Sequence, residues 1–198
     1  MNFLGIDFED WYHPQLIQNH IKNKKHEPTM FKGLEKILEM LRRSNTNATF
    51  FVVGELIEKN PEIFDKIIEN EHEIAFHTMH HTRIDDPNFK GNFLEEIKTF
   101  SKLTNKKSQG FRAPTFSLNH KSSWIIDELV NANYLYDSSV VPAKTNLYGF
   151  PNADKKPYHI SSKSLEKNDP VGKLIEFPIM ITQFLGKKIP AGGGFYLR

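Results

Sequence analysis

The chain has no cysteine. That excludes disulfides and thiolate-held metal, so any metal must be bound by His, Asp or Glu. It has little net charge: 26 Lys and Arg stand against 24 Asp and Glu, leaving +2 with His neutral. So small and so evenly spread a balance gives no argument for nucleic acid. The basic run Lys22-Asn23-Lys24-Lys25 reads as a solvated helix end or loop, because short basic runs bind little by themselves. No apolar run approaches the roughly 20 residues that a membrane-spanning helix needs. The N-terminus reads directly as a strand, with no charged segment ahead of an apolar one. No signal peptide is therefore expected, and the chain is expected in the cytoplasm. Repeats, low-complexity tracts and linkers are missing as well.

What is there suits one folded domain. Hydrophobic residues make up 38% and charged residues 25% of 198 positions, a globular balance with about one domain's worth of core. Sixteen Phe point to an aromatic-rich core, or to apolar surface kept for another purpose.

Strand and helix signals alternate along the chain. Apolar runs at Phe3 to Ile6, Ala48 to Val53, Glu73 to Phe76, Ser108 to Phe111, Tyr134 to Tyr136 and Leu174 to Phe177 predict strands. Helical spacing places Leu34, Ile37, Leu38 and Leu41 on one face of Phe31 to Arg43. Asn60-Pro61 reads as cap and first turn of a helix burying Ile63, Phe64, Ile67 and Ile68. Asn92 to Leu103 predicts a helix with Leu94, Ile97 and Phe100 inward. Asn119 is expected to cap a helix carrying Trp124, Ile125, Leu129 and Val130. Pro151 to Asp169 reads as a long loop. This alternation predicts an α/β fold, a parallel sheet with helices outside, either open or closed; a barrel-like closure is favoured.

On these boundaries Asp7, His77, Arg112 and Asp137 each directly follow a strand. In a parallel α/β fold those strand ends share one face, where active sites form. In His77-Thr78-Met79-His80-His81, a helical turn would set His77 and His81 on one side, within reach of one ion. Neutral imidazole suits zinc and similar divalent metals; an exposed polar turn is the alternative. Asp7-Phe8-Glu9-Asp10 crowds three carboxylates that a cation would relieve, or forms a solvated loop with a cap at Asp10. Two histidines and a carboxylate leave positions open for water and substrate, the layout of a hydrolytic metal site. Pro114 stiffens the turn after Arg112, which can fix a carboxylate bidentately or make a plain salt bridge. Asp137 orients a neighbouring His or Arg, or forms an Asx turn. Trp11, Tyr12 and Phe116 stack on sugar rings or fill the core.

These residues resemble the polysaccharide deacetylase family, carbohydrate esterase family 4, also called the NodB-homology type. Ile6 to His13 resembles a branch with Asp-x-Glu-Asp as its first motif. His77 to His81 matches the family's His-[Ser/Thr]-x-x-His, and Arg112 with Pro114 matches Arg-x-Pro. Tyr136-Asp137-Ser138-Ser139, the Ala48 to Gly54 strand and Gly192 to Arg198 resemble the same branch. The resemblance runs from residue 3 to residue 198. It implies a distorted (β/α) barrel and removal of acetyl groups from an N-acetylated sugar or polysaccharide precursor. It also implies a divalent metal cofactor, zinc, with cobalt or a similar ion as the alternative.

By the same resemblance, His77 and His81 bind the metal, Asp7 is the base and Arg112 holds it. Asp137 joins the catalytic set. The third ligand falls to Glu9 or Asp10, since Phe8 occupies its usual place; Glu9 is favoured. Trp11, Tyr12, Pro114, Thr115 and Phe116 line the substrate, and the Thr115 N–H is a candidate oxyanion donor. The family's last strand carries a His acting as general acid. No counterpart follows Arg198, so the domain is expected to be incomplete there. A cytoplasmic enzyme would act on a lipid-linked or nucleotide-linked precursor. Three other readings stay open: a glycan-binding module without turnover, a hydrolase of another amide such as a cyclic ureide, and a purely structural α/β domain.

Overall fold

The computed structural model describes residues 3–18, 20–21 and 28–192. The Lys22 to Lys25 run and Gly193 to Arg198 of the glycine-rich stretch lie outside the described residues. The chain forms two compact units, Met1–Thr82 with Phe93–Ser108, and Arg83–Asn92 with Gln109–Arg198.

The first unit runs β1 (Gly5–Phe8), α1 (Gln15–Gln18), α2 (Met30–Arg43), β2 (Thr49–Val52), α3 (Gly54–Lys59), α4 (Glu62–Glu69), β3 (Glu73–Phe76) and α5 (Phe93–Leu103). Strands β1, β2 and β3 pair in parallel in that order, with Asp7 opposite Phe51 and Phe51 opposite Ala75. Strand β2 is apolar along Phe50, Phe51 and Val52 because all three are buried, as expected of a parallel strand covered on both faces. Helix α2 buries Met30, Leu34, Leu38 and Leu41, one stripe at helical spacing.

Two local expectations change here. Helix α5 buries Phe93, Ile97 and Phe100, whereas Leu94 is 45% exposed. Positions 93, 97 and 100 form the true i, i+4, i+7 face, and Phe76 stacks on Phe93 and Phe100. Asn60 does not cap the helix after it. Its Nδ2 donates to the Leu56 carbonyl at 3.2 Å, closing α3, and α4 starts behind Pro61.

The second unit runs β4 (Gly110–Phe111), α6 (Trp124–Asn131), β5 (Tyr136–Asp137), β6 (Tyr158–Ile160), β7 (Leu174–Glu176), β8 (Ile181–Phe184) and β9 (Lys187–Pro190). Strands β4, β5 and β7 are parallel neighbours, and β6 adds antiparallel to β7. Strand β6 lies inside the stretch read as a loop. Only three residues carry it, Tyr158 and Ile160 buried with His159 outward, too short a period to register. Strands β8 and β9 form a separate hairpin closed by Leu185 and Gly186, both at positive φ as its twist requires. Among the described residues no helix is long and apolar enough to cross a membrane.

Candidate metal centre

His77 follows β3 directly, and its N–H continues the ladder to the Val52 carbonyl at 3.1 Å. The next four residues are not helical. Thr78 (φ 59) and His81 (φ 55) take the left-handed conformation, so an irregular loop replaces the expected helical turn. For a β-branched residue such as Thr78 this costs about 1–3 kcal/mol and must be held from outside. The first two N–H groups of α3, from Gly54 and Glu55, donate to the carbonyls of Thr78 (3.0 Å) and Met79 (2.9 Å). Those donors have no partner within their own helix. The Met79 N–H donates in turn to Glu96 Oε2 at 2.8 Å. Burial pushes the Glu96 carboxyl above its ordinary value, against the Met79 hydrogen bond.

The loop turns the His77 and His81 rings together, with centroids 5.0 Å apart. Glu9, one residue past β1, completes a group whose ligand atoms all lie within 4.8 Å of one another. Both histidines are buried and Glu9 is half-buried. Glu9 Oε2 lies 2.6 Å from His81 Nε2, yet this oxygen has no hydrogen-bond partner among the described residues. A buried carboxylate oxygen and an imidazole nitrogen converging without a directional hydrogen bond is what a bound cation requires. The donor set, two nitrogens and an oxygen, fits zinc or a similar divalent ion and leaves coordination positions open.

Asp10 is not in this group. Its carboxylate accepts from the N–H of Thr29 (2.5 Å) and Met30 (3.1 Å), the Thr29 hydroxyl (2.9 Å) and the Trp11 N–H (2.9 Å). It serves the N-terminus of α2. The Asp10 N–H donates to His13 Nδ1 at 2.8 Å, which puts the His13 proton on Nε2, facing Glu55 Oε1 at 2.8 Å. That hydrogen bond, followed by His80 and Lys59, holds the Glu55 carboxyl far below the usual carboxylate range. His13 stacks on His81 with centroids 6.3 Å apart. Asp10, His13 and Glu55 thus brace the centre from behind.

The other expected site residues fall as follows. Asp7 and Asp137 lie within β1 and β5 rather than after them. Trp11 is 45% exposed, with Tyr12 edge-on to it. Arg112 follows β4 and donates to the Ser138 carbonyl (3.0 Å) and hydroxyl (2.8 Å), with its guanidinium over the Phe116 ring. Pro114 and Phe116 are buried, and Thr115 and Phe116 are both left-handed. Phe116 packs on Tyr148. Asp137 is buried and accepts from the Ser139 hydroxyl at 2.6 Å.

The sequence model of polysaccharide deacetylases matches residues 30–133. The chain belongs to the polysaccharide deacetylase family. A second model, for a domain of unknown function (DUF3473), matches residues 138–198 of this deacetylase-family chain. A peptidoglycan-N-acetylglucosamine deacetylase of Bacillus cereus is 32% identical over 82 residues, 40% of this chain and 38% of that protein. A peptidoglycan deacetylase-like protein of Gibberella zeae is 30% identical over 148 residues, 70% of this chain and 42% of its own. The chain therefore spans about two fifths of the length of these curated relatives. A solved Mycobacterium smegmatis structure assigned to the polysaccharide deacetylases superposes with a TM-score of 0.61 at 22% identity, covering 89% of this chain and 57% of the other. The fold is thus the α/β, barrel-type fold of polysaccharide deacetylases.

Sequence reasoning missed Gly54, Glu55 and Glu96 around the centre. Gly54 carried a signal, since it ends an apolar strand and opens a helix without a turn. A Cβ there would overlap Met79 Sδ and press on Phe100 at 3.1 Å. Gly54→Ala should therefore displace the loop between the two histidines. The expected cost is about 1–3 kcal/mol, read as a lower urea midpoint, with weaker zinc binding alongside.

Proposed function

We propose that this chain carries out metal-dependent hydrolysis of an N-acetyl group on a sugar or polysaccharide precursor. The observation that carries the reading is the convergence of Glu9, His77 and His81, with Glu9 Oε2 buried and lacking a hydrogen bond. Family membership supplies the reaction class, and the Bacillus cereus relative is named for removing acetyl groups from peptidoglycan N-acetylglucosamine. A divalent ion at this centre would supply Lewis-acid polarisation of the acetamide carbonyl and acidify water towards pKa ~7.

The chain's own groups have separable tasks. Asp7 and Glu9 are two residues apart at the end of a strand, and the period of two sets them on one face with Phe8 turned into the core. Glu9 is then free to bind metal while Asp7 accepts the proton of the attacking water. The Asp10 N–H and Glu55 fix the His13 ring, which stacks on His81 and keeps the ligand geometry at a set spacing.

Acetate release from N-acetylglucosamine oligomers tests this, using the chain stripped with a chelator and then reloaded with zinc or cobalt. Release restored by metal and absent without it is the expected result. Saturable sugar binding by the zinc-loaded chain with no acetate formed would sink hydrolysis and favour a glycan-binding module.

A further inference from the structure

Outside the metal group, the second unit buries two carboxyl groups against each other. Asp137 on β5 and Glu176 on β7 are direct partners across the parallel ladder, 1% and 0% exposed. Each has one oxygen engaged by a donor. Asp137 Oδ1 accepts from the Ser139 hydroxyl (2.6 Å), and Glu176 Oε1 from the Val140 N–H (3.0 Å). The other two, Asp137 Oδ2 and Glu176 Oε2, have no donor among the described residues. The two side chains nevertheless lie within hydrogen-bonding reach of each other. Two buried ionised carboxylates cannot face each other in this way, and one proton between them resolves both orphaned oxygens.

A charged group facing the pair is the Arg112 guanidinium, 6% exposed at the end of β4. The titratable group on the β6 side is Tyr158, opposite Glu176 in the ladder, whose hydroxyl donates to the Leu165 carbonyl at 2.5 Å. Helix α6 covers β7 with Ile125, Ile126 and Leu129 and keeps Asp127 and Glu128 off its buried face.

The hydrogen bonds lead from this pair to the Arg112 turn. Ser139, held by Asp137, accepts the Ala113 N–H at 2.8 Å. Ser138, held to the Phe177 carbonyl, accepts from Arg112 Nη2. Val140, held by Glu176, follows directly. Residues 137–140 are thus fixed by β7 and in turn fix Arg112 and Ala113.

We propose that Glu176 is a positioning residue: with Asp137 it forms a one-proton carboxyl pair that faces Arg112 and locks the 137–140 segment onto which the Arg112–Ala113 turn is hung. Asp137 is then the anionic half of this pair and does not act on substrate. Burial, and then the neighbouring Asp137, push the Glu176 carboxyl well above the usual range, and burial raises Asp137 also. A carboxyl raised in the folded state stabilises in full below its unfolded pKa, about 4.3. That contribution is lost as pH rises through the folded value, at up to a tenfold fall in the folding constant per pH unit for one proton.

Infrared spectroscopy of the 198-residue chain at pH 7 tests the pair. A protonated-carboxyl carbonyl band that shifts in deuterium oxide is expected, and it should vanish in both Glu176→Gln and Asp137→Asn. Either substitution supplies an amide N–H in place of the shared proton, so one folded variant is enough. The difference between wild-type and Glu176→Gln stability curves should also carry the alkaline loss just described. A wild type without the band, or a band and pH slope kept in the folded variants, would overturn the proposal. A divalent ion bound in place of the proton, lost on Glu176→Gln, would overturn it too.

The activity readout alone rests on the deacetylase reading. Glu176→Ala should lower kcat on the order of 10–100-fold with KM and bound zinc unchanged, and Glu176→Gln should restore most of it. A chain that releases no acetate would remove that readout while the spectroscopic and stability results still decide the pair.

Discussion

His81→Ala should reduce bound zinc from about one equivalent per chain to a trace after dialysis against a weak chelator. His77→Ala should do the same. Each removes one of three converging ligands in a centre where Glu9 Oε2 has no alternative donor among the described residues. Loss of an outer-shell partner alone weakens metal sites about 10–100-fold, so losing a direct ligand should cost at least that. His80→Ala is the control. Its ring is largely exposed and is not one of the three ligands; it helps hold Glu55, at 3.9 Å, after His13, so bound zinc should stay near the wild-type level. The three variants separate a metal centre from an exposed polar turn rich in histidine, because such a turn would treat all three positions alike. Elemental analysis of the purified chains gives the answer. A wild type that takes up no zinc at neutral pH would remove the metal centre, and with it the hydrolytic mechanism.

The strands and helices that bear the centre were legible because their apolar periods are strong. Strands β2 and β3 and helix α2 follow directly from runs such as Phe50-Phe51-Val52 and the Leu34, Leu38, Leu41 stripe. The two histidines were legible by type and spacing, but the backbone between them was not. A spacing of four suggests a helical turn. Left-handed Thr78 and His81 instead depend on tertiary donors, the N–H groups of Gly54 and Glu55, which lie more than twenty positions away in the chain. The pairing of Asp137 with Glu176 was hidden for a similar reason. It is a register relation between β5 and β7, separated by β6, and no local pattern of charge announces it. The β8–β9 hairpin was missed because exposed Phe184 and Leu185 run into its turn beside two lysines, so neither strand alternates clearly. Short strands with mixed faces give little period to read.

Glu9→Ala and Asp10→Ala should fail in opposite ways, which tests the assignment of the third ligand. Asp10 is 2% exposed and accepts four hydrogen bonds, three of them from Thr29 and Met30 at the start of α2. Removing it strands the buried Met30 N–H and strips the helix of its cap; the two effects together are expected to cost about 2–4 kcal/mol. For a chain of this length that corresponds to a fall in Tm of roughly 4–16 °C, measured without metal. Zinc should still bind the fraction that remains folded, since His77, His81 and Glu9 are untouched. Glu9 makes no such contacts, and its side chain retains 26% of its accessible surface. Glu9→Ala should leave the metal-free Tm within a few degrees of wild type, since it removes a half-buried carboxylate whose buried oxygen accepts no hydrogen bond among the described residues. It should nevertheless abolish stoichiometric zinc. It should also abolish the rise in Tm that saturating zinc gives the wild type, because a ligand bound only by the folded state stabilises in proportion to its affinity. The reverse pattern would be equally informative. Stability kept and zinc lost in Asp10→Ala, with zinc retained in Glu9→Ala, would place the third ligand at Asp10. It would also require the loop after β1 to rearrange when metal binds, pulling Asp10 away from the start of α2.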